Sequence, residues 1–132
     1  MARAVTPFLM FDGVAEAAMG LYISLFDDAE IVAIERYGAG EQGEVGSVKR
    51  AEFVLAGQRF ICFDSPIEHD FDFTPAFSIF VDCDDYAELQ STFDALAEGG
   101  EVLMPLSAYG FSAGFGWVND RFGVSWQLNL PH

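Results

Sequence analysis

Pro7-Phe8-Leu9-Met10-Phe11-Asp12 runs into an apolar stretch of helical spacing at 14–26. Pro75-Ala76-Phe77-Ser78-Ile79-Phe80-Val81-Asp82 runs into a second at 85–98. Short apolar stretches broken by turn residues follow each of them. The first half closes on Asp64-Ser65-Pro66 and the second on Asn129-Leu130-Pro131. This is an internal duplication. Each half reads as one supersecondary unit that must bury its apolar face against its twin. A paired architecture of this kind places its cleft where the units meet.

Working outward from those two runs, residues 5–11 read as a buried strand, with Asp12-Gly13 able to cap the next element. Val14, Ala17, Ala18, Leu21, Tyr22, Leu25 and Phe26 fall at helical spacing. Residues 29–37 are β-branched and aromatic, hence a strand. The Gly-rich stretch 38–46 lacks the Gly-Lys-Ser/Thr of a phosphate cradle, and its glutamates would repel phosphate. It reads either as a plain linker or as a mobile loop over a cleft. Residues 47–55, the turn Ala56-Gly57-Gln58 and residues 59–64 form a β-hairpin. In the second half, 77–82 is a strand. Asp84 or Asp85 caps the second helix, with Glu88 at capping-box spacing from Asp85. Tyr86, Leu89, Phe93 and Leu96 form its buried stripe, and Gly99-Gly100 ends it. Residues 101–106, 115–119 and 124–130 are strands. The order β-α-β-β-β therefore occurs twice. The fold class is α+β: paired βαβββ units, about 5–66 and 75–131 within one domain of 1–132, forming a curved mixed sheet with the helices outside.

Composition sets the outer limits. The chain has 132 residues, 52% of them hydrophobic, and 14 phenylalanines, which suits a packed core and not a disordered segment. Six Lys+Arg against 21 Asp+Glu give a net charge of -15. That excludes nucleic acid and anionic membranes as partners, because both demand basic surface. No stretch is long and apolar enough for a membrane span, and residues 1–6 do not make a signal peptide. Cys62 and Cys83 lie in strand-like runs and read as buried free thiols, which fits a reducing cytoplasm.

Thr6-Pro7-Phe8-Leu9-Met10-Phe11-Asp12-Gly13, Arg36-Tyr37-Gly38, Ala56-Gly57-Gln58, Asp64-Ser65-Pro66 and the closing Gly116-Trp117-Val118-Asn119-Asp120-Arg121-Phe122-Gly123-Val124-Ser125-Trp126-Gln127-Leu128 carry a likeness. With them the chain resembles the PhnB-like branch of the vicinal oxygen chelate superfamily, which includes glyoxalase I, bleomycin-resistance proteins, fosfomycin-resistance enzymes and extradiol dioxygenases. The likeness covers nearly the whole chain. It implies paired βαβββ units, a sheet cupped around a pocket, and a homodimer. Members of this branch often carry the label 3-demethylubiquinone-9 3-methyltransferase-like. The common methyltransferase fold needs a strand, a Gly-rich turn and a helix for its nucleotide cofactor. The first strand–helix junction here offers only Asp12-Gly13.

The resemblance also says where a metal would sit, on the first and last strands of each unit. Those positions fall near Phe8 or Leu9, near Ala76 or Phe77, and near Cys62 and Gln127. A divalent ion needs three or four converging N/O donors with one position free for substrate. These residues do not supply them, and the two histidines, His69 and His132, lie elsewhere. The expectation is a chain with no metal ligands and no cofactor.

Strand alternation puts Arg50 and Glu52 on one face with Val48 and Val54, and Ser125, Gln127 and Asn129 on one face opposite Val124, Trp126 and Leu128. Each polar face either meets water or lines the cup, and the family likeness favours the cup. Trp117, after Phe115-Gly116, is the aromatic expected to touch a ligand. Cys62, between Ile61 and Phe63, reads as an inert thiol whose surroundings raise its pKa. Asp120-Arg121-Phe122-Gly123 reads as a structural turn. The candidate cup-lining residues are Phe8, Met10, Arg50, Glu52, Cys62, Phe77, Trp117 and Gln127. The expected function is metal-free binding of a small organic molecule by a cytoplasmic homodimer. The rival is a metal-dependent lyase, isomerase or dioxygenase of the same superfamily.

Overall fold

The computed structural model describes all residues 1–132, and the chain resolves into two compact units, Met1–His69 and Asp70–His132. Unit one contains β1 (Phe8–Phe11), α1 (Ala15–Ser24), β2 (Ala29–Arg36), β3 (Val48–Leu55) and β4 (Gln58–Asp64). Unit two contains β5 (Ser78–Asp82), α2 (Tyr86–Ala97), β6 (Glu101–Ser107), β7 (Gly114–Asn119) and β8 (Ser125–Leu130). The expected βαβββ order is present in both. Each unit has a four-stranded mixed sheet, ordered β1-β4-β3-β2 and β5-β8-β7-β6. The outer pairs β1–β4 and β5–β8 are parallel, and the remaining pairs are antiparallel. The helix supplies the crossover that a parallel pair requires.

α1 packs on one face of its own sheet, against β2, β3 and β4. Ala15, Ala18, Met19 and Tyr22 are buried there, meeting Leu9, Phe11, Ala51, Phe53, Phe60 and Cys62 as one core. This stripe is rotated from the expected one, and Val14 and Ala17 are exposed. The run is apolar almost all round, so period alone does not choose its inner face. The start of α1 also departs from expectation. Asp12 does not cap it. The buried carboxylate of Asp64, at the end of β4, accepts from Ala15 N (2.9 Å) and from Val48 N (2.9 Å). One side chain therefore ties the helix start and the start of β3 to β4. An anion at a helix N-terminus also opposes the helix dipole favourably.

α2 packs against β6, β7 and β8 and buries Leu89, Thr92, Phe93 and Leu96, while Tyr86 is exposed. Asp85 Oδ1 accepts from Glu88 N (2.8 Å), and Glu88 Oε1 accepts from Asp84 N (3.1 Å). The box read from the sequence is thus present, with its return bond on Asp84. Gly99 takes φ 73° past the helix end, and Gly100 N donates to Ala97 O (2.9 Å).

Two details of β3 and β7 decide what faces the helices. The pairing Glu35↔Arg50 followed by Arg36↔Val48 skips Lys49, a β-bulge. The bulge flips Val48 to the buried face with Ala51 and Phe53, so Val48 does not share the face of Arg50 and Glu52. In β7, Gly116 lies under α2. A Cβ there would stand 2.6 Å from the Phe93 ring and 2.8 Å from Leu106.

Gly116→Ala should lower stability by about 1–3 kcal/mol through overpacking. Gly20→Ala, in the middle of α1 with nothing within 4 Å of the new methyl, should raise it by about 0.5–1 kcal/mol. Urea melts of the two variants check the pair, and a neutral Gly116→Ala would contradict the helix–sheet contact.

Candidate functional site

With one face of each sheet under its helix, the chemistry available to a ligand lies on the opposite, open face. In unit one that face carries Phe8 and Met10 from β1, Ile61 and Phe63 from β4, and Arg50, Glu52 and Val54 from β3. Phe8 is 59% exposed, and its ring stacks on Phe63 with centroids 5.1 Å apart and planes 3° from parallel. Glu52 is paired with Arg59 and not with Arg50. Arg59 Nη2 donates to its Oε1 at 2.6 Å, and Arg59 Nη1 reaches Thr6 Oγ1 at 3.3 Å. This bond holds the Glu52 carboxyl below the usual glutamate range and raises the Arg59 guanidinium. Arg50, one residue pair along the strand, makes no ion pair.

Cys62 is the expected site residue that faces the other way. It is fully buried on the helix side of β4, two residues from Asp64. Burial pushes its thiol up to about 12, with the Asp64 carboxylate adding to the effect. Its neighbours Ile61 and Phe63 take the open face, as strand alternation requires. Cys83 is likewise free and pushed up to about 12, by burial first and Glu88 second.

In unit two the open face is a connected polar array between aromatics. Cross-strand pairing lines up Phe80, Gln127 and Trp117 in one row, and Ser78, Ser125 and Asn119 in the next. Trp117 Nε1 donates to Ser125 Oγ (2.8 Å), Ser125 and Ser78 share a hydroxyl bond (2.6 Å), and Gln127 Nε2 donates to Ser78 Oγ (3.3 Å). The two expected residues, Trp117 and Gln127, are therefore brought together through two serines. Asn129 Nδ2 is bound to Asp82 Oδ1 (2.8 Å) at the end of the face. Phe80 is 55% exposed. Its ring lies 6.4 Å from that of Phe115, and Phe115 is covered by Tyr109 (6.1 Å) and Phe111 (5.0 Å) of the β6–β7 loop. Phe77, just before β5, is exposed and outside this array.

The turn after β7 fixes where these strands end. Asp120 Oδ1 accepts from Phe122 N (2.8 Å) and Val124 N (3.1 Å), and Oδ2 accepts from Trp126 Nε1 (2.9 Å). Trp126 thus lies on the helix side with its indole satisfied, and Trp117 on the open side. Gly123 has φ 91°, which the turn requires. Sequence reading missed Ser78, Asn119 and Arg59. The alternation of β5 places Ser78 with Phe80, but only the cross-strand register shows that it meets Ser125.

The loop 38–46 is anchored. Tyr37 and Ser47, Gly46 and Tyr37, and Gly38 and Glu41 are joined by hydrogen bonds, and Lys49 and Arg36 pair with Glu41 and Glu16. Tyr37 donates to Asp64 O (2.9 Å), and Gly43 packs directly on the Tyr37 ring.

No group of three or more His, Cys, Asp or Glu side chains comes together to hold a metal ion. Phe8, Leu9, Ala76 and Phe77 offer no donor, Cys62 is turned inward, and Gln127 remains alone. The residues present do not fit the divalent ion of the metal-dependent vicinal oxygen chelate enzymes.

A family model described as 3-demethylubiquinone-9 3-methyltransferase matches residues 3–129. The chain belongs to this family. A solved structure of a PhnB protein from Bacillus cereus is 52% identical, with a TM-score of 0.95, covering 97% of this chain and 99% of that one. The Escherichia coli protein YjdN is 35% identical over 54 residues, 41% of this chain and 37% of YjdN's own length. A glyoxylase/bleomycin resistance protein/dioxygenase domain from Frankia sp. is 12% identical at TM-score 0.69, covering 100% of this chain and 99% of that one, a likeness of fold. No helix is long and apolar enough to cross a membrane.

Arg59 lowers the Glu52 pKa, so the pair's contribution is complete above the ordinary value of 4.5 and fades as pH falls through the folded value. Glu52→Gln should melt slightly below the parent near neutral pH, and the gap should close in acid. A gap that widens below pH 4.5 would contradict the pairing.

Proposed function

We propose that the protein binds a small organic molecule on the open face of unit two, using side chains and no metal held by the chain. One observation carries this reading: Trp117, Ser125, Ser78 and Gln127 form a continuous hydrogen-bonded array beside the exposed ring of Phe80. Ligand sites combine apolar walls with a few fixed polar groups, and this face has both. The array is held by the backbone register of three strands, so little ordering remains to be done when a ligand arrives. Phe8, Met10, Phe63 and Arg50 on the open face of unit one supply apolar surface and a cation of the same kind of use.

Methyl transfer, the activity in the family's description, has little support from this chain. The junction between β1 and α1 is Asp12-Gly13-Val14, with no glycine-rich turn. The first amide of α1 is already taken by Asp64. The tryptophan, serines and amide of the open face contain no group with the pKa of a general base at neutral pH, and both thiols are buried. Binding, not turnover, is the chemistry these residues supply.

We also propose a homodimer in a reducing compartment. Phe8, Phe77, Phe80 and Phe111 are each more than half exposed, as is much of Val32 on the edge strand β2. That is more ring surface than a monomer usually leaves in water. Both cysteines are free.

Three measurements test these readings. A metabolite panel should contain compounds that raise the melting temperature, since a ligand selective for the folded state must do so. They should act equally before and after chelator treatment. A stoichiometric divalent ion in protein purified without chelator, with ligand binding lost on its removal, would contradict the metal-free reading. Light scattering at micromolar concentration should give twice the chain mass, and a monomer there would contradict the dimer.

A further inference from the structure

We infer that Asp82 and the rings of Phe80 and Phe111 form a corner of the unit-two open face that holds the positively charged end of the ligand, an organic ammonium compound. The inference rests on the binding role proposed above and adds the ligand's chemical class.

The corner follows from the strand register. Phe80 on β5 and Phe115 on β7 are separated by β8, a span of about 10 Å between strand axes. Their ring centroids are 6.4 Å apart, so the two side chains lean toward one another over β8. The β8 residue opposite Phe115 is Asn129, which is also opposite Asp82. Asp82 lies on the same face as Phe80, about 7 Å further along β5. Asn129 Nδ2 donates to Asp82 Oδ1 (2.8 Å), which fixes the carboxylate beside the rings and leaves Oδ2 for another donor. Phe111 meets Phe115 edge-on at 5.0 Å, and Tyr109 stacks on Phe111 at 6.1 Å. The loop that carries these rings is pinned. Tyr109 Oη donates to Pro105 O (2.6 Å), Ser112 Oγ to Gly114 O (3.2 Å) and Ala113 N to Leu130 O (2.9 Å). The corner is open to solvent: Phe80 is 55% and Phe111 61% exposed, and Asp82 is exposed beside them.

Asp82 has no ion pair. The single Lys or Arg of unit two, Arg121, lies in the turn at the other end of β7 and β8, about 13 Å of strand from Phe115 and Asn129. Asp84 and Asp85 follow Asp82 in the chain and add to the negative potential there. An ammonium group with an apolar body suits all of these groups. Its charge faces the Asp82 carboxylate, and its carbons and positive charge lie against ring surface. A second copy of this chain would bring a net charge of -15 to the same corner, so the small cation is the better-matched occupant.

Three probes with one ring and different ends test this: benzyltrimethylammonium, benzyl alcohol and benzoate. Binding is followed on the full chain by the backbone amide resonances of Phe80, Asp82 and Asn129. The cation should bind roughly three- to tenfold tighter than the alcohol at low salt, with benzoate weakest. About 0.5 M salt should narrow the gap. Asp82→Asn should weaken the cation roughly three- to tenfold, leave the alcohol unchanged and melt close to the parent, since the residue is exposed. Phe111→Leu leaves the hydrogen bonds of the corner in place and should weaken the cation roughly two- to fivefold. Equal affinity of the parent chain for the cation and the alcohol would overturn the inference while leaving small-molecule binding intact. Cation binding that neither variant weakens would overturn it in the same way. Silence of these amides to all three probes would overturn it as well, and the binding role itself is decided separately by the metabolite panel.

Discussion

Asp64 is the residue on which unit one depends. Its carboxylate is buried and accepts from the first amide of α1 and from the first amide of β3, and its carbonyl accepts from Tyr37. A carboxylate taken out of water is costly unless its lone pairs are filled, and here backbone amides fill them. The same bonds satisfy two N–H groups that an element start leaves orphaned. Because β1 pairs with β4 in parallel, with Phe11 opposite Asp64, the end of β4 lies beside the junction where α1 begins. The carboxylate can close that junction only in this register. A shift of one residue would send Asp64 to the open face and Phe63 under the helix. The identity of the open face therefore depends on a bond made on the other side of the sheet.

Unit two solves the same problem with different residues. Leu130 occupies the end of β8, and α2 is capped locally by Asp85 and Glu88. Its buried carboxylate is Asp120, which gathers two turn amides and the indole of Trp126. That bond commits Trp126 to the core and leaves Trp117, on the neighbouring strand, for the open face. Duplication preserved the order of elements and not the contacts that stabilise them. This divergence explains why the two open faces differ: one carries a stacked ring pair with charges beside it, the other rings around a chain of neutral hydroxyls and amides.

The repeated order of elements was legible in the sequence because strand length, Gly placement and helical spacing all agree within each half. What period could not supply was the direction of nearly uniform segments. Residues 14–26 are apolar on most sides, so the inner face of α1 follows from where Asp64 holds its start. The bulge at Lys49 has no clear signature in a run of alternating residues, and it moved Val48 to the core. Of the expected site residues, Phe8, Met10, Arg50, Glu52, Trp117 and Gln127 lie on open faces, where alternation puts them. Cys62 does not, although the same alternation, counted from the buried Asp64 two residues on, sends it inward. Asn119 and Ser78 escaped notice because each is ordinary along its own strand and becomes informative only beside Ser125.

The polar groups joined on the open face of unit two are neutral. The chain has six basic residues, and three of them, Arg36, Lys49 and Arg59, are held by glutamates of unit one. Arg121, the one base of unit two, rests over the Phe122 ring at 4.9 Å, in the turn between β7 and β8. None of the side chains in the array, Trp117, Ser125, Ser78 and Gln127, is charged, and like charges at close range repel. Hydroxyls and amides avoid that cost, since they offer direction and a fixed count of donors and acceptors without net charge. Selectivity on such a face comes from matching each hydrogen to a lone pair.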